Sequence, residues 1–252
     1  MVTKEGVLVR CGTGEVLFGK RPSNYTGISA EISEENGGFS LISFDGRGEI
    51  SPTAEVLCCA GKYLWDQGIR ECPVTVREED SGKEHLILTS TCTDRVTAVT
   101  VGVDRADFIP QNIPLRFEKS LINDLISLPD CKPFRLTALS FQVPYGVVFL
   151  DTAGDCLVLN RGQEISGMHL FPKGAEMIFA YTRGEKELHL RACHRDGSTD
   201  VRGNDVCAAL AAAVAAGRCL PDTAVTVPLP QGDLRAVCTK EWELFLTLPV
   251  FC

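Results

Sequence analysis

The stretch 191-RACHRDGSTDVRGNDVCAALAAAVAAG-217 decides the reading of this chain. A polar loop carrying an Asp-Gly turn runs directly into a helix made almost entirely of alanine. Gly203 marks the helix start, and Gly217 ends it at the position after the C-cap, where glycine is favoured. A helix with so little polar surface belongs in an interior, with only its N-terminus facing a cleft. That end offers free backbone N–H groups and the positive end of the helix dipole.

The pattern recurs upstream. Residues 41-LISFDGRGEISPTAEVLCCAGKYLWDQG-68 also give a strand, an Asp-Gly turn, a polar loop and an apolar helix beginning near Thr53. Asp45-Gly46 answers Asp196-Gly197, Glu55-Val56 answers Asp205-Val206, and Cys58 answers Cys207. The duplication predicts an α+β fold of two pseudo-symmetric halves facing each other across a cleft. Each half is a strand-rich, barrel-like wall around one buried central helix.

Most of the remaining chain reads as short strands: 6–11, 15–20, 39–44, 86–92, 96–103, 136–141, 146–151, 176–181, 186–193, 223–229 and 243–248. Short helices are expected over 116–127 and 160–167, and a solvated loop over 77–84. The two prolines of 104-DRADFIPQNIPLRFEK-119 mark the crossover between halves. The expected division is 1–112, joined by the C-terminal strand 241–252, against 113–240.

These landmarks resemble the diaminopimelate epimerase family, which includes the proline racemases and the phenazine-biosynthesis isomerases. That family carries D-G-S…C-G-N-G-x-R-C in its first half and E-R-G-x-G-E-T-x-x-C-G-T-G-A-C-A-A in its second. Cys11-Gly12-Thr13-Gly14-Glu15-Val16-Leu17-Phe18 resembles its H-G-L-G-N-D-F-V. Pro144-Tyr145-Gly146-Val147-Val148-Phe149-Leu150-Asp151 resembles N-P-H-x-V-x-F-V-D. His169-Leu170-Phe171-Pro172-Lys173-Gly174 resembles H-x-x-F-P-x-G, while 228-PLPQGDLR-235 and 246-LTLPVFC-252 resemble the closing L-P-G-G-x-L and T-G-P-A-x-x-V-F. The landmarks cover nearly the whole chain in order, and the resemblance implies the epimerase-like fold.

The same resemblance implies that the epimerase chemistry is gone. Aligning Cys58 and Cys207 with the second cysteine of each motif puts the catalytic positions on Pro52 and Arg202. The family needs one thiolate to remove an α-proton and an opposed thiol to return it. Proline does neither, and arginine stays protonated. The family's substrate-gripping asparagines fall on Glu15, Ser43, Val143 and Ile178. Its Glu-Arg pair falls on Cys193-His194, and the Glu of G-E-T falls on Ser198.

Chemistry must then come from the replacements. Glu55 and Asp205 put carboxylates in the first turn of both helices, where they complement the dipole. There they would compete with a substrate carboxylate, which favours a neutral or differently oriented ligand. The expected catalytic group is His194, titrating near neutrality, with Glu15 or Asp205 as the acidic partner and Arg202 stabilising developing negative charge. Tyr145, Ser43, Glu55, Glu176, Cys193 and Ser198 are the expected substrate contacts.

Composition sets the outer bounds. At 252 residues, 44% hydrophobic and 23% charged, the chain suits one large or two medium domains. A net charge of −8 argues against nucleic acid or anionic membranes as partners. The twelve cysteines show no C-x-x-C pair or zinc spacing and read as buried reduced thiols. No metal or cofactor is expected. No signal peptide or membrane-length apolar run is visible, so a cytoplasmic protein is expected, with a homodimer left open. Two function classes stand: a cofactor-independent isomerase or cyclase acting on a small molecule, or a binding or scaffold protein with a dead site.

Overall fold

The computed structural model describes residues 6–12, 14–20, 25–35, 38–127, 133–150, 162–167 and 169–250. Thr13, Asp151 and the final Phe251-Cys252 of the motifs above lie outside these residues, as do 160 and 161 of the expected helix. The chain divides into two compact units. One is Met1–Val103 with Leu229–Leu234 and Leu246–Cys252; the other is Asp104–Pro228 with Arg235–Phe245. The division falls at residue 104 rather than 113, because the chain pairs with the second unit soon afterwards, through the Asp107–Ser140 bridge. Residues 241–245 likewise go with the second unit rather than the first.

The first unit begins with β1 (Val7–Cys11), β2 (Gly14–Phe18), β3 (Ser29–Glu35), β4 (Gly38–Asp45) and the short β5 (Gly48–Ile50). Helix α1 (Ala54–Asp66) follows, then β6 (Val74–Glu78), β7 (Glu84–Cys92) and β8 (Arg95–Arg105). The strand order is β1-β2-β3-β4-β6-β7-β8, with β5 paired to β4. The last strand, β16 (Glu243–Pro249), lies next to β8, and Thr247 and Thr100 share a 2.8 Å hydroxyl hydrogen bond. Pairing is mixed: β2/β3 and β4/β6 are parallel, while β1/β2, β3/β4, β6/β7 and β7/β8 are antiparallel.

Helix α1 is the central helix of this unit and packs on β1, β2 and β7. Thr53 is its N-cap, extended in backbone and accepting a 3.4 Å hydrogen bond from Val56 N–H. Pro52, immediately before it, is buried. Gly14 is required by close approach, because a Cβ there would meet the Glu55 side chain on the helix.

The second unit is built on a five-stranded sheet in the order β13-β12-β11-β10-β9. The strands are β9 (Asp124–Ile126), β10 (Phe134–Phe141), β11 (Val143–Phe149), β12 (Glu176–Thr182) and β13 (Leu188–Cys193). Helix α2 (Gly162–Ser166) precedes β12, and helix α3 (Gly203–Ala215) follows β13. Strands β14 (Val225–Val227) and β15 (Leu234–Cys238) complete the chain order before β16.

Strand alternation gives this sheet two distinct faces. Tyr145, Val147 and Phe149 pair with Glu176, Ile178 and Ala180, and α3 packs on the strands of this sheet. Val148, Met177 and Phe179 point the other way, into a core with Ile113, Leu121, Ile165 and Phe171. The alanine run of α3 is buried from Val206 to Ala213, as its lack of polar surface requires. Gly217 follows the helix at φ +68°, the left-handed conformation that glycine adopts without strain.

Two sequence expectations fail locally. Residues 116–127 are not helical: they form bends and the strand β9, and Asn123 turns at φ +57°. The apolar spacing there reflects burial of Leu121 against the sheet. The cysteines are also not uniformly buried. Cys11, Cys58, Cys59, Cys207, Cys219 and Cys238 are, but Cys193 is half-buried and Cys72 and Cys92 are exposed. All nine are free thiols. No helix among the described residues is long and apolar enough to cross a membrane.

Candidate functional site

The start of α3 gathers seven of the ten residues singled out in the sequence: Tyr145, Glu176, His194, Arg202 and Asp205, with Ser198 and Cys193 at the rim. Register explains the first contact. Met177 pairs with Cys193 across β12 and β13, so Glu176 and His194 stand side by side one step further on. His194 Nδ1 lies 3.0 Å from Glu176 Oε2. Its Nε2 lies 3.3 Å from Asp205 Oδ2 and 3.0 Å from the Asp200 carbonyl. Tyr145, paired with Glu176 on β11, donates its hydroxyl to Asp205 Oδ1 at 3.2 Å.

Asp205 is the third residue of α3. Its Oδ2 accepts the backbone N–H of Arg202, the N-cap, at 2.7 Å. This is one arm of a capping box: the helix's own carboxylate answers an N–H at its positive end. One N–H group at the end of α3 that would bind an external anion is thus answered from within.

The network is closed. Asp205 is 0% exposed, His194 2% and Tyr145 3%. Glu176 is half-buried and accepts from Arg195 twice, from its N–H at 3.0 Å and its Nε at 2.9 Å. The hydrogen bonds that His194 donates to Asp205 and Glu176 hold its pKa up at about 10, against the opposing effect of burial. Burial would raise the Glu176 carboxyl, but hydrogen bonds from His194 and Arg195 outweigh it and bring it to about 2. Burial and the Asp205 charge push the Tyr145 hydroxyl well above its usual value, so it stays protonated and donates.

His194 is therefore not the near-neutral base expected from the sequence. It is a fixed buried cation between two carboxylates. A pH dependence of stability follows. The folded pKa of His194 is raised, so its contribution is complete below about 6.5 and fades as pH rises towards about 10. That of Glu176 is lowered, so its contribution is complete above about 4.5 and fades as pH falls towards 2. Urea melts should give a plateau between about pH 4.5 and 6.5 with a decline on each side. In NMR spectra the His194 ring should remain protonated at pH 8.

The accessible groups form a rim. Arg202, half-exposed, donates to Ser198 Oγ at 2.9 Å and lies 3.6 Å from Asp196. Ser198 N–H bonds the Asp196 carboxylate at 2.9 Å, closing the Asp-Gly turn. Asn204 donates to the Gln142 side chain at 2.8 Å. Cys193 is half-buried, and burial followed by the Glu176 charge pushes its thiol pKa up, away from a reactive thiolate. Arg195, Asn204 and Gln142 were not singled out in the sequence, and Asp196 was read only as part of the Asp-Gly turn. Arg195 was the most legible of these, as the residue following His194 at the end of a strand.

The remaining expected site residues lie in the first unit. Glu15 is exposed and forms an ion pair with Arg10, its cross-strand partner in β1. It faces solvent as one half of a surface pair, not as a desolvated base. Ser43 is buried, and its hydroxyl donates to the Ile50 carbonyl at 2.6 Å, tying β4 to β5. Glu55 is buried in the first turn of α1, beside Gly14.

Comparison with known proteins supports the resemblance. A diaminopimelate epimerase from Leptospira biflexa is 26% identical over 194 residues, 76% of this chain and 68% of that protein. One from Clostridium perfringens is 28% identical over 178 residues, 70% of this chain and 63% of that protein. The chain thus spans about two thirds of the length of these relatives. Among solved structures, a probable proline racemase from Agrobacterium radiobacter superposes with a TM-score of 0.67 at 11% identity, covering 98% of this chain and 90% of that one. A phenazine biosynthesis protein from Bacillus anthracis gives 0.65 at 12% identity, covering 98% and 96%. A methylitaconate-delta-isomerase gives 0.63 at 12%, covering 98% and 93%. No family model matches the chain. The chain is thus similar in sequence to diaminopimelate epimerases, and its fold is that of the epimerase-like structures.

Proposed function

We propose that this protein is a cofactor-independent isomerase or cyclase acting on a small organic molecule, and that it does not epimerise amino acids. The carrying observation is the start of α3. Asp205 answers the N-cap N–H that a substrate carboxylate would take, and Arg202 stands where the resemblance puts a catalytic cysteine. The names of the similar proteins, among them an isomerase and a racemase, support an enzyme of the isomerase class.

Within that class the groups favour polarisation over proton abstraction. His194 and Glu176 hold each other in their charged forms, which makes both poor acid–base catalysts near neutrality. They serve as positioning residues that fix Asp205 and the loop before α3. Arg202 is the catalytic candidate: a permanent, half-exposed cation at the positive end of a buried helix, held by Ser198 and Asp196. A substrate oxygen gaining negative charge as a double bond shifts or a ring closes would be stabilised there. Asn204 and Gln142 offer amide contacts beside it.

The test is a panel of small unsaturated or enolisable carbonyl compounds, incubated with the protein in deuterated buffer and read by mass spectrometry for isomerisation or label. Arg202→Gln should lower turnover by roughly 10²-fold, the usual loss for one charge-stabilising donor, with an unchanged melting curve. Full activity in that variant would remove Arg202 from the reaction. One observation favours a second reading, a non-catalytic binding protein: Tyr145, His194 and Asp205 satisfy one another and are almost closed to solvent. A panel compound that binds the wild type but is never converted would support it.

A further inference from the structure

The second unit holds a pocket that the proposed chemistry does not use. It has a volume of about 460 Å³ and is lined by Leu150, Phe179, Tyr181, Arg183, His189 and Arg191, among others. That volume is within the range of small-molecule sites. Strand register puts it on the sheet face opposite the α3 site. Phe179 pairs with Arg191 and Tyr181 with His189 across β12 and β13, in alternation with Glu176, Ile178 and Ala180, which share the Tyr145 face.

The pocket combines an apolar floor with a cationic wall. Phe179 and Leu150 belong to the buried core, so the floor is rigid. Tyr181 and His189 stack at a tilt with ring centroids 6.1 Å apart. Glu187 lies 2.7 Å from His189 Nε2 and 3.8 Å from Arg183 Nη1, so one carboxylate serves both. Arg191 has no ion-pair partner among the described residues, which leaves its planar donor fork available at the pocket wall.

We propose that this pocket is a second binding site, taking a small organic anion whose flat apolar body rests on Phe179 and Tyr181 and whose carboxylate or phosphate group pairs with Arg191 and Arg183. The body supplies burial against the aromatic floor, and the anionic group supplies the bidentate contact that Arg191 lacks. The site stands independently of the chemistry proposed at α3.

The probes are phenyl phosphate, inorganic phosphate and phenol, titrated into labelled full-length protein and followed by the side-chain NMR signals of Arg191 and His189. Phenyl phosphate should saturate these signals and bind at least about tenfold more tightly than either fragment. Arg191→Gln should weaken it by about tenfold to a hundredfold, the range for losing a charge-assisted hydrogen bond. Arg183→Gln should weaken it less, because Glu187 already shares that cation. Both residues are exposed, so neither variant should alter the melting curve. Arg202→Gln should leave phenyl phosphate binding unchanged. The proposal is overturned by absence of saturation at about 10 mM probe. It is equally overturned by binding that survives Arg191→Gln, by binding lost in Arg202→Gln, or by fragments that bind as tightly as phenyl phosphate.

Discussion

Replacing His194 with alanine should destabilise the protein by about 3–5 kcal/mol, the usual cost of breaking a buried ion pair from one side. The imidazole is 2% exposed and lies between Glu176 at 3.0 Å and Asp205 at 3.3 Å. Removing it leaves Asp205, itself 0% exposed, with a buried charge answered, among the described residues, by Tyr145 and the Arg202 N–H. Glu176 keeps Arg195 and is less affected. Denaturant unfolding at pH 6 checks this, with His189→Ala as the comparison. That half-exposed histidine pairs with Glu187 near the surface and should cost no more than about 1 kcal/mol. If His194→Ala unfolds like the wild type, the ion network does not exist in solution. The sequence alone suggested a different part for His194, that of a catalytic group titrating near neutrality.

That contrast shows what a sequence of this kind reveals. The starts of both central helices were legible because they depend on local chemistry: Thr53 as a capping residue, Gly203 before an alanine run, Gly217 after it. The carboxylates at the helix starts were legible for the same reason, since the dipole favours them wherever the helix lies. Most strands were visible as apolar alternation. Strand β3, Ser-Ala-Glu-Ile-Ser-Glu-Glu, was not, because its second half is largely exposed and carries little apolar signal. The apolar spacing of 116–127 suggested a helix, but Asn123 N–H bonds Thr137 of β10 at 2.9 Å and β9 pairs there, so tertiary contacts decide.

Site residues follow the same division. The structure brings Asp205, Arg202, Tyr145, Glu176 and Ser198, each expected at a site from the motifs, together at one helix start. Their roles were not legible, because a role depends on non-local register. The pairing of Met177 with Cys193 turns His194 from a titrating base into a fixed cation, and nothing within either segment announces it. Glu15 failed for the converse reason: its cross-strand neighbour Arg10 makes it half of an exposed ion pair.

We propose that the start of α3 does not perform two-thiol epimerisation. The N-cap is Arg202, the N-terminal position is filled by Asp205, and Pro52 stands buried before the cap of α1. Among the thiols near this site, Cys193 is held in its protonated form by burial and by Glu176. A site that lacks a thiolate and an opposed thiol gives the α-proton no acceptor on one side and no donor on the other. The most direct measurement is mass-spectrometric detection of α-deuterium in diaminopimelate and in proline, incubated with the protein in deuterated buffer. The account predicts no label above the enzyme-free rate at any pH from 6 to 9, with or without thiol alkylation. Steady deuteration that alkylation abolishes would contradict it, because a cysteine pair would then be working at a site where the structure places Arg202 and Asp205.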